Sequence, residues 1–307
     1  MSLSFHLTPD HFKDVTKVDQ SFYNVLNHFM YPRLDLPVFF HSVSEMIGMG
    51  KFYQVIIRGC LVVFRVNSIY GRYSCIVYFS PISWDNDIQR EREVFGALLA
   101  AGFSVRVSKV EVERLGLRVK AVNGTLDRFG GEFIYKTKDT LEMRGSKYKK
   151  QRWLLHRFER EGGEVKREVT PDVFSLISTW SAGKKIRYTN FVNLINKPRD
   201  SFFFLSLYLE GALQAFSFVE RVGPFYNGVV GVSNYEAPFD MLPIVQYFEA
   251  AGFPEKDTYL NNGAGNGSEG LLIQKRRLNP YVEEPMYRIP AIGPISNSYS
   301  LVKDFLK

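Results

Sequence analysis

At 307 residues, 45% of them apolar, the chain is long enough for two ordinary domains and too rich in core-forming side chains to be disordered. Its formal charge of +7 points to an anionic partner, such as RNA, DNA, a phosphate-bearing cofactor or a membrane surface, or equally, if the excess is spread out, to a merely soluble exterior. The only cysteines, Cys60 and Cys75, sit in apolar runs without metal-ligand spacing, which predicts buried free thiols rather than a disulfide scaffold or a zinc site.

Met1 to Asp10 is polar and lacks the basic-then-apolar pattern of a signal peptide. The most apolar early stretch, Tyr53 to Val66, is interrupted by Arg58 and Arg65 and is too short to cross a bilayer. The expectation is a soluble, cytoplasmic protein with no integral membrane contact.

Taken in chain order, Thr8-Pro9-Asp10 opens a helix, and 22–30 continues helical. Residues 54–66 read as two strands turning at Gly59, and Gly71-Arg72 turns into a third strand at 74–79. Asp85 to Ala101 has amphipathic helical spacing and stops at Gly102, after which 103–107 returns as a strand. A comparable order recurs later. A helix at 172–180 precedes strands at 202–209, 212–219 and 226–232, the first two joined by the turn Glu210-Gly211. A helix over 240–251, a short strand at 259–261 and a helix over 269–278 complete the series. This predicts two copies of one mixed α/β unit, residues 1–128 and 129–307, divided near the turn signals Asn123-Gly124 and Gly130-Gly131.

Two motifs carry chemistry. In the run from Arg144 to Arg160, Tyr148, Leu154, Leu155 and Phe158 share one helical face, while Lys149, Arg152, His156, Arg157 and Arg160 surround the other. Such a basic face neutralises phosphates, although Glu142, Glu159 and Glu161 also allow an ordinary solvated surface. The second motif is the glycine-rich stretch from Asn261 to Gly270, followed by a helix with Lys275, Arg276 and Arg277. Free N–H groups at a helix start bind anions. The spacing is neither a Walker loop nor a dinucleotide fingerprint, and a plain surface loop is the simpler alternative.

The segment from Leu141 to Phe158, with its Gly-Ser-Lys-Tyr-Lys-Lys-Gln-Arg core, resembles the signature of the domain at the C-terminus of phosphatidylglycerol lysyltransferases. Tyr259-Leu-Asn261, Glu269-Gly-Leu271, Lys275 and Pro280 are similar to the closing motif of that family, and 207–218 to its central strand–turn–strand. The resemblance implies an α/β (α+β) fold of two tandem GNAT-like (acetyltransferase-like) domains with mixed central sheets. It also implies a transferase moving an aminoacyl or acyl group, with the active site in the second copy.

Carried over, Lys147, Lys150 and Arg152 fall in the basic motif and Asn261, Gly267, Gly270 and Lys275 in the closing one, all with the implied role of holding phosphate. The chain departs from the family at Asn262-Gly-Ala-Gly-Asn266, where an acidic run is usual, so acceptor identity is open. In such folds the central strand, here Gly228 to Ser233, supplies a backbone N–H to the oxyanion. Tyr226, Tyr235 and Asp240 flank it as candidate acid or base, each also readable as an ordinary strand-end residue.

The following stretch, Asn234 to Asp240, is acidic and lacks glycine, which disfavours coenzyme A there and favours aminoacyl-tRNA as co-substrate. No tightly bound cofactor is expected. Partners are then tRNA or another phosphate-rich ligand and a small-molecule or nucleic-acid acceptor. Two alternatives are an acyl-CoA-dependent N-acyltransferase, using the Asn261–Gly270 stretch, and a non-catalytic nucleic-acid-binding protein on the same scaffold.

Overall fold

The computed structural model describes residues 5–19, 21–30, 46–47, 52–127, 130–182, 192, 195, 202–264 and 268–306. Pro9–Phe12 forms a short 3-10 turn rather than an α-helix. There follow β1 (Thr16–Lys17), α1 (Phe22–Met30), β2 (Phe52–Ile57), β3 (Cys60–Ile69), β4 (Arg72–Val77), β5 (Ile82–Ser83), α2 (Ile88–Ala100), β6 (Ser104–Ser108), α3 (Lys109–Arg114) and β7 (Thr125–Leu126). Next come β8 (Glu132–Lys136), α4 (Thr137–Glu142), α5 (Lys149–Arg160), β9 (Glu164–Lys166), α6 (Pro171–Ala182), β10 (Phe202–Leu209), β11 (Ala212–Val222) and β12 (Phe225–Ser233). The chain closes with α7 (Leu242–Gly252), β13 (Tyr259–Ala264), α8 (Glu269–Arg277), β14 (Val282–Glu284), β15 (Met286–Ile289) and α9 (Ile295–Val302).

The chain folds into two compact units. Met49–Gly131 and Glu284–Lys307 build most of the first, and Glu132–Glu283 builds most of the second. The expected division at residue 128 or 129 runs beside this one, but the final segment returns to the first unit instead of staying with the second. Its strand β15 hydrogen-bonds to both β6 and β7, and Ser298 Oγ on α9 accepts the Cys75 N–H of β4 at 3.0 Å.

The first unit's sheet runs β1-β2-β3-β4-β6-β15-β7, with β5 joining β3. Strands β2, β3 and β4 are antiparallel, whereas β4 and β6 are parallel and joined by the crossover helix α2. Crossover helices arise because parallel neighbours cannot be joined by a tight turn. The α2 helix starts where Asp87 accepts the Arg90 N–H at 2.9 Å and buries Val94, Phe95, Leu98 and Leu99 against β3, β4 and β6.

The second unit repeats the plan in the order β14-β8-β13-β12-β11-β10-β9. Antiparallel β10, β11 and β12 lead through α7 to β13, which lies parallel to β12 and antiparallel to β8. The β10–β11 turn uses Glu210 and Gly211, both at positive φ (51° and 77°), as a two-residue hairpin requires. Helices α5 and α7 cover one face, packing Leu154, Leu155, Phe158, Ile244 and Val245 on Leu205, Leu207 and Ala215. Each unit thus carries the expected mixed central sheet, built to the same plan. Among the described residues no helix is long and apolar enough to cross a membrane.

Candidate functional site

The two units differ where their parallel strands meet. In the first, β4 and β6 pair at Ile76–Ser104 and Val77–Val105, and Val77 and Val105 are fully buried in the core. The segment beyond β4 is tied down: Ser80 donates its N–H and hydroxyl to Glu111 (2.8 and 2.9 Å), and Ser83 donates both to Glu91 (2.7 and 3.0 Å).

In the second unit, β12 and β13 pair at Tyr226–Leu260 and Asn227–Asn261 and then part. The β11–β12 register slips at the same place, pairing Val219 with Gly228 but Phe218 with Val230, so Val229 is the extra residue of a bulge. Bulges re-aim backbone groups beside functional sites. A Cβ on Gly228 would meet Asn262 Oδ1 at 2.4 Å, so only glycine lets the Asn262 side chain lie against β12 here. In open sheets with parallel strands, ligands enter at the carboxyl ends where strands diverge. That opening is the candidate site.

Around it, neighbouring strands set a polar row on one face of the sheet. The register pairs Glu220 of β11 with Asn227, and Asn227 with Asn261, while Asn261 Nδ2 donates to Glu132 Oε2 of β8 at 2.6 Å. None of the four is more than 1% exposed. Asn261 Oδ1 accepts the Gly263 N–H at 2.7 Å, whereas Asn227 Oδ1 has no hydrogen-bond partner among the described residues. Native interiors rarely leave a buried acceptor unpaired. Reading residues singly finds Asn261 but misses Glu132, Glu220 and Asn227; their signal was a polar side chain inside an otherwise apolar strand.

The other expected site residues take varied positions. Tyr226 precedes Asn227 and therefore points to the opposite face, into a cluster with Val219, Phe253 and Leu260. Its ring stacks on Phe253 and its hydroxyl bonds Glu255 Oε2 at 2.5 Å. Tyr235 lies exposed in the turn after β12. Asp240 Oδ1 accepts the Leu242 N–H at 3.2 Å and so places a carboxylate at the start of α7.

Lys275 projects from α8 to the end of β13, where its ammonium donates to the carbonyls of Asn262, Gly263 (3.0 Å) and Ala264 (2.7 Å). Those bonds use all three of its donors. Burial pushes its pKa down to about 8, opposed by the Glu132 carboxylate. The glycine-rich stretch expected to bind phosphate is thus strand β13 up to Ala264, drawn into the sheet by the Ala264–Glu132 pairing; Gly267 lies outside the described residues. Gly270 is exposed at the start of α8, and Ser268 and Glu269 already supply an acceptor and an acid to that helix terminus.

The basic motif divides in two. Arg152 is engaged locally, donating to the carbonyls of Met143 and Gly145 behind α4. Lys147, Lys149, Lys150, His156 and Arg160 are exposed, as is Trp153. Gln151 Nε2 donates to the Arg277 carbonyl at 2.8 Å, and Asn279 Nδ2 donates to the Lys147 carbonyl at 3.1 Å. The start of α5 and the end of α8 therefore join, and exposed Lys147, Lys150 and Arg277 share one surface.

No family model and no curated protein matches the chain. Solved structures do. A conserved protein of unknown function from Bacteroides thetaiotaomicron is 17% identical with a TM-score of 0.70, covering 90% of this chain and 98% of that one. L-PGS from Bacillus licheniformis is 13% identical with a TM-score of 0.62 over 94% and 98% of the two chains. FemX is 10% identical with a TM-score of 0.59 over 97% and 99%. The likeness to L-PGS fits the resemblance carried by Leu141 to Phe158, and the chain has the two-unit fold shared by L-PGS and FemX.

Proposed function

We propose that the chain is a transferase that moves an aminoacyl group from aminoacyl-tRNA to an amine or hydroxyl acceptor at the opening between β12 and β13. The observation that carries this reading is the last turn of α8. It holds Lys275, which closes the end of β13 beside the opening, and Arg277, which shares a surface with Lys147 and Lys150. One ligand with a phosphate chain and a reactive end spans both.

In the proposed reaction the acceptor's nucleophile attacks the ester carbonyl of the donor. The C–O bond to the ribose breaks, and the acceptor's proton passes to the leaving oxygen. A backbone N–H at the Val229 bulge stabilises the oxyanion, and positioning between the strands supplies much of the rate. Tyr235 and Asp240, in the segment after β12, remain the candidates for carrying the proton.

Coenzyme A held in the usual way of such folds would seat its pyrophosphate at the start of α7. Asp240 already holds a carboxylate there, and a second anion at the same helix terminus is disfavoured. The acyl-CoA alternative that uses the Asn261–Gly270 stretch is untouched by this and is separated by the test that follows.

The test is the thermal midpoint of the purified chain with acetyl-CoA, charged tRNA and uncharged tRNA at fixed salt. Ligands that bind only the native state raise it. A larger shift with charged than with uncharged tRNA is expected. A shift with acetyl-CoA alone would overturn the reading, and equal shifts with both tRNAs would leave a binding protein without the chemistry.

A further inference from the structure

We propose that Lys136, Tyr259 and Tyr281 bind one unpaired nucleotide of an RNA, with its base against Tyr281 and its phosphate on Lys136. This rests on the transferase reading above for the identity of the RNA, and it adds a contact at the end of the sheet away from the opening.

Strand register builds the place. Tyr259 opens β13 directly opposite Lys136, the last residue of β8, so the two side chains share a face. Phe225 opens β12, whose next residue pairs with Leu260, and its ring lies 6.2 Å from that of Tyr259. Tyr281, just before β14, donates its N–H to the Ile134 carbonyl at 2.8 Å and brings its ring to 5.8 Å from Tyr259. The Lys136 ammonium sits over both tyrosines, 4.0 Å from the Tyr281 centroid and 5.9 Å from that of Tyr259.

What sets this cluster apart is a cation without an anion. Among the described residues Lys136 has no carboxylate partner, and the hydroxyls of Tyr259 and Tyr281 have no hydrogen-bond partner. The carboxylates that flank the two tyrosines, Asp257 and Glu283, face Lys138 and Arg276 instead. Tyr281 is 51% exposed, while Lys136 and Tyr259 are half-buried. An accessible ring thus stands beside an uncommitted ammonium and two free hydroxyls.

That combination selects the ligand. An unpaired base offers a flat face to a tyrosine ring, and its phosphate offers the anion that Lys136 lacks. A purely apolar partner would bury the ammonium without a counter-charge. A second copy of the chain, also at +7, would be repelled.

The position agrees with an RNA that already lies on α5 and α8. Asn279, two residues before Tyr281, donates to the Lys147 carbonyl, so the cluster adjoins the surface of Lys147, Lys150 and Arg277. Along β13, Tyr259 stands three residues before Asn262, about 10 Å from the opening.

The test is the affinity of the full-length chain for oligouridylate, for a blunt RNA duplex with as many phosphates, and for polyglutamate, over a potassium chloride series. Tyr281→Ala should weaken binding of the single strand by about 5- to 150-fold, leave its salt slope unchanged and matter little for the duplex. Tyr281→Phe keeps the ring and should bind as wild type does. Lys136→Gln should lower the log–log slope for the single strand by about 0.7, the effect of one lost phosphate contact, which keeps the test open if Tyr281→Ala folds poorly. Equal losses for strand and duplex in Tyr281→Ala, an unchanged slope in Lys136→Gln, or a wild type that prefers polyglutamate would each overturn the proposal. If the variants match wild type in a chain that still prefers charged tRNA, the nucleotide contact falls and the transferase reading survives. If they respond as expected while charged and uncharged tRNA bind alike, the contact stands and that reading falls.

Discussion

Gln151 on α5 donates its side-chain amide to the carbonyl of Arg277 on α8, 2.8 Å away and 126 positions later in sequence. That bond makes one surface from two basic motifs. Replacing Lys147, Lys150 and Arg277 together by alanine should therefore weaken tRNA binding and flatten its salt dependence. Each phosphate left without its cation lowers the log–log slope by a bit under one unit, so a fall of about 2 to 3 units is expected. All three are exposed, so the thermal midpoint should barely move. An unchanged slope in a binding series against potassium chloride would place the nucleic acid elsewhere.

Lys275→Ala is expected to cost fold rather than only chemistry. The substitution leaves three carbonyls at the end of β13 without their donor. Each buried orphan costs about 1–3 kcal/mol, so a loss on the order of 3 kcal/mol in urea unfolding is expected. The lysine's lowered pKa sets the sign with pH: the native state prefers the neutral amine, so its penalty is present below about 8 and lifts as pH rises towards 10.5. Wild-type stability at pH 7 retained in Lys275→Ala would make this residue a ligand-binding group instead.

The hairpins, the α2, α5 and α7 helices and the inward face of α5 were legible because their signals are local. Glu210-Gly211 specifies its own turn, and Leu154, Leu155 and Phe158 specify their own face. Strands β8 and β15 were not, since each is short and finds its partners far away, Glu132 opposite Ala264 and Tyr287 opposite Val107. The same limit hid the polar row. In a strand the face alternates with every residue, so choosing Tyr226 rather than Asn227 inverts the assignment. Only the pairing of β12 with β11 and β13 shows that Asn227 lies with Glu220 and Asn261.

Glu249, buried on α7 and accepting the Ser217 hydroxyl, makes stability depend on pH. Burial raises its pKa from 4.5 to about 7. The folded state thus binds the proton more tightly than the unfolded one. Stability from this group is full below 4.5 and is lost as pH rises to about 7, on the order of 3 kcal/mol in total. Glu249→Gln should flatten that part of the profile, as read by urea unfolding between pH 5 and 8. An identical slope in the variant would mean that Glu249 is ionised throughout.

Tyr226→Phe separates packing from chemistry. The hydroxyl binds Glu255 on the face opposite Asn227, and the ring keeps its stack on Phe253 without it. A loss of about 1 kcal/mol in stability with turnover unchanged is expected. A fall in kcat at constant KM would instead put this hydroxyl in the reaction.

Trp153 stands out on the basic face of α5. It is 53% exposed, one turn from Lys149 and Lys150 on one side and His156 and Arg157 on the other. The Arg157 guanidinium lies 5.7 Å from its ring centroid, which leaves a cationic edge beside an accessible aromatic face. Unpaired bases stack on such rings for about 1–3 kcal/mol each, without adding charge. Trp153→Ala should therefore weaken binding of a tRNA with an intact single-stranded 3′ end by about 5- to 150-fold while leaving the salt slope unchanged. The substitution should matter little for a blunt duplex of the same charge. Equal losses for both ligands would assign the tryptophan to shaping the helix surface rather than to holding a base.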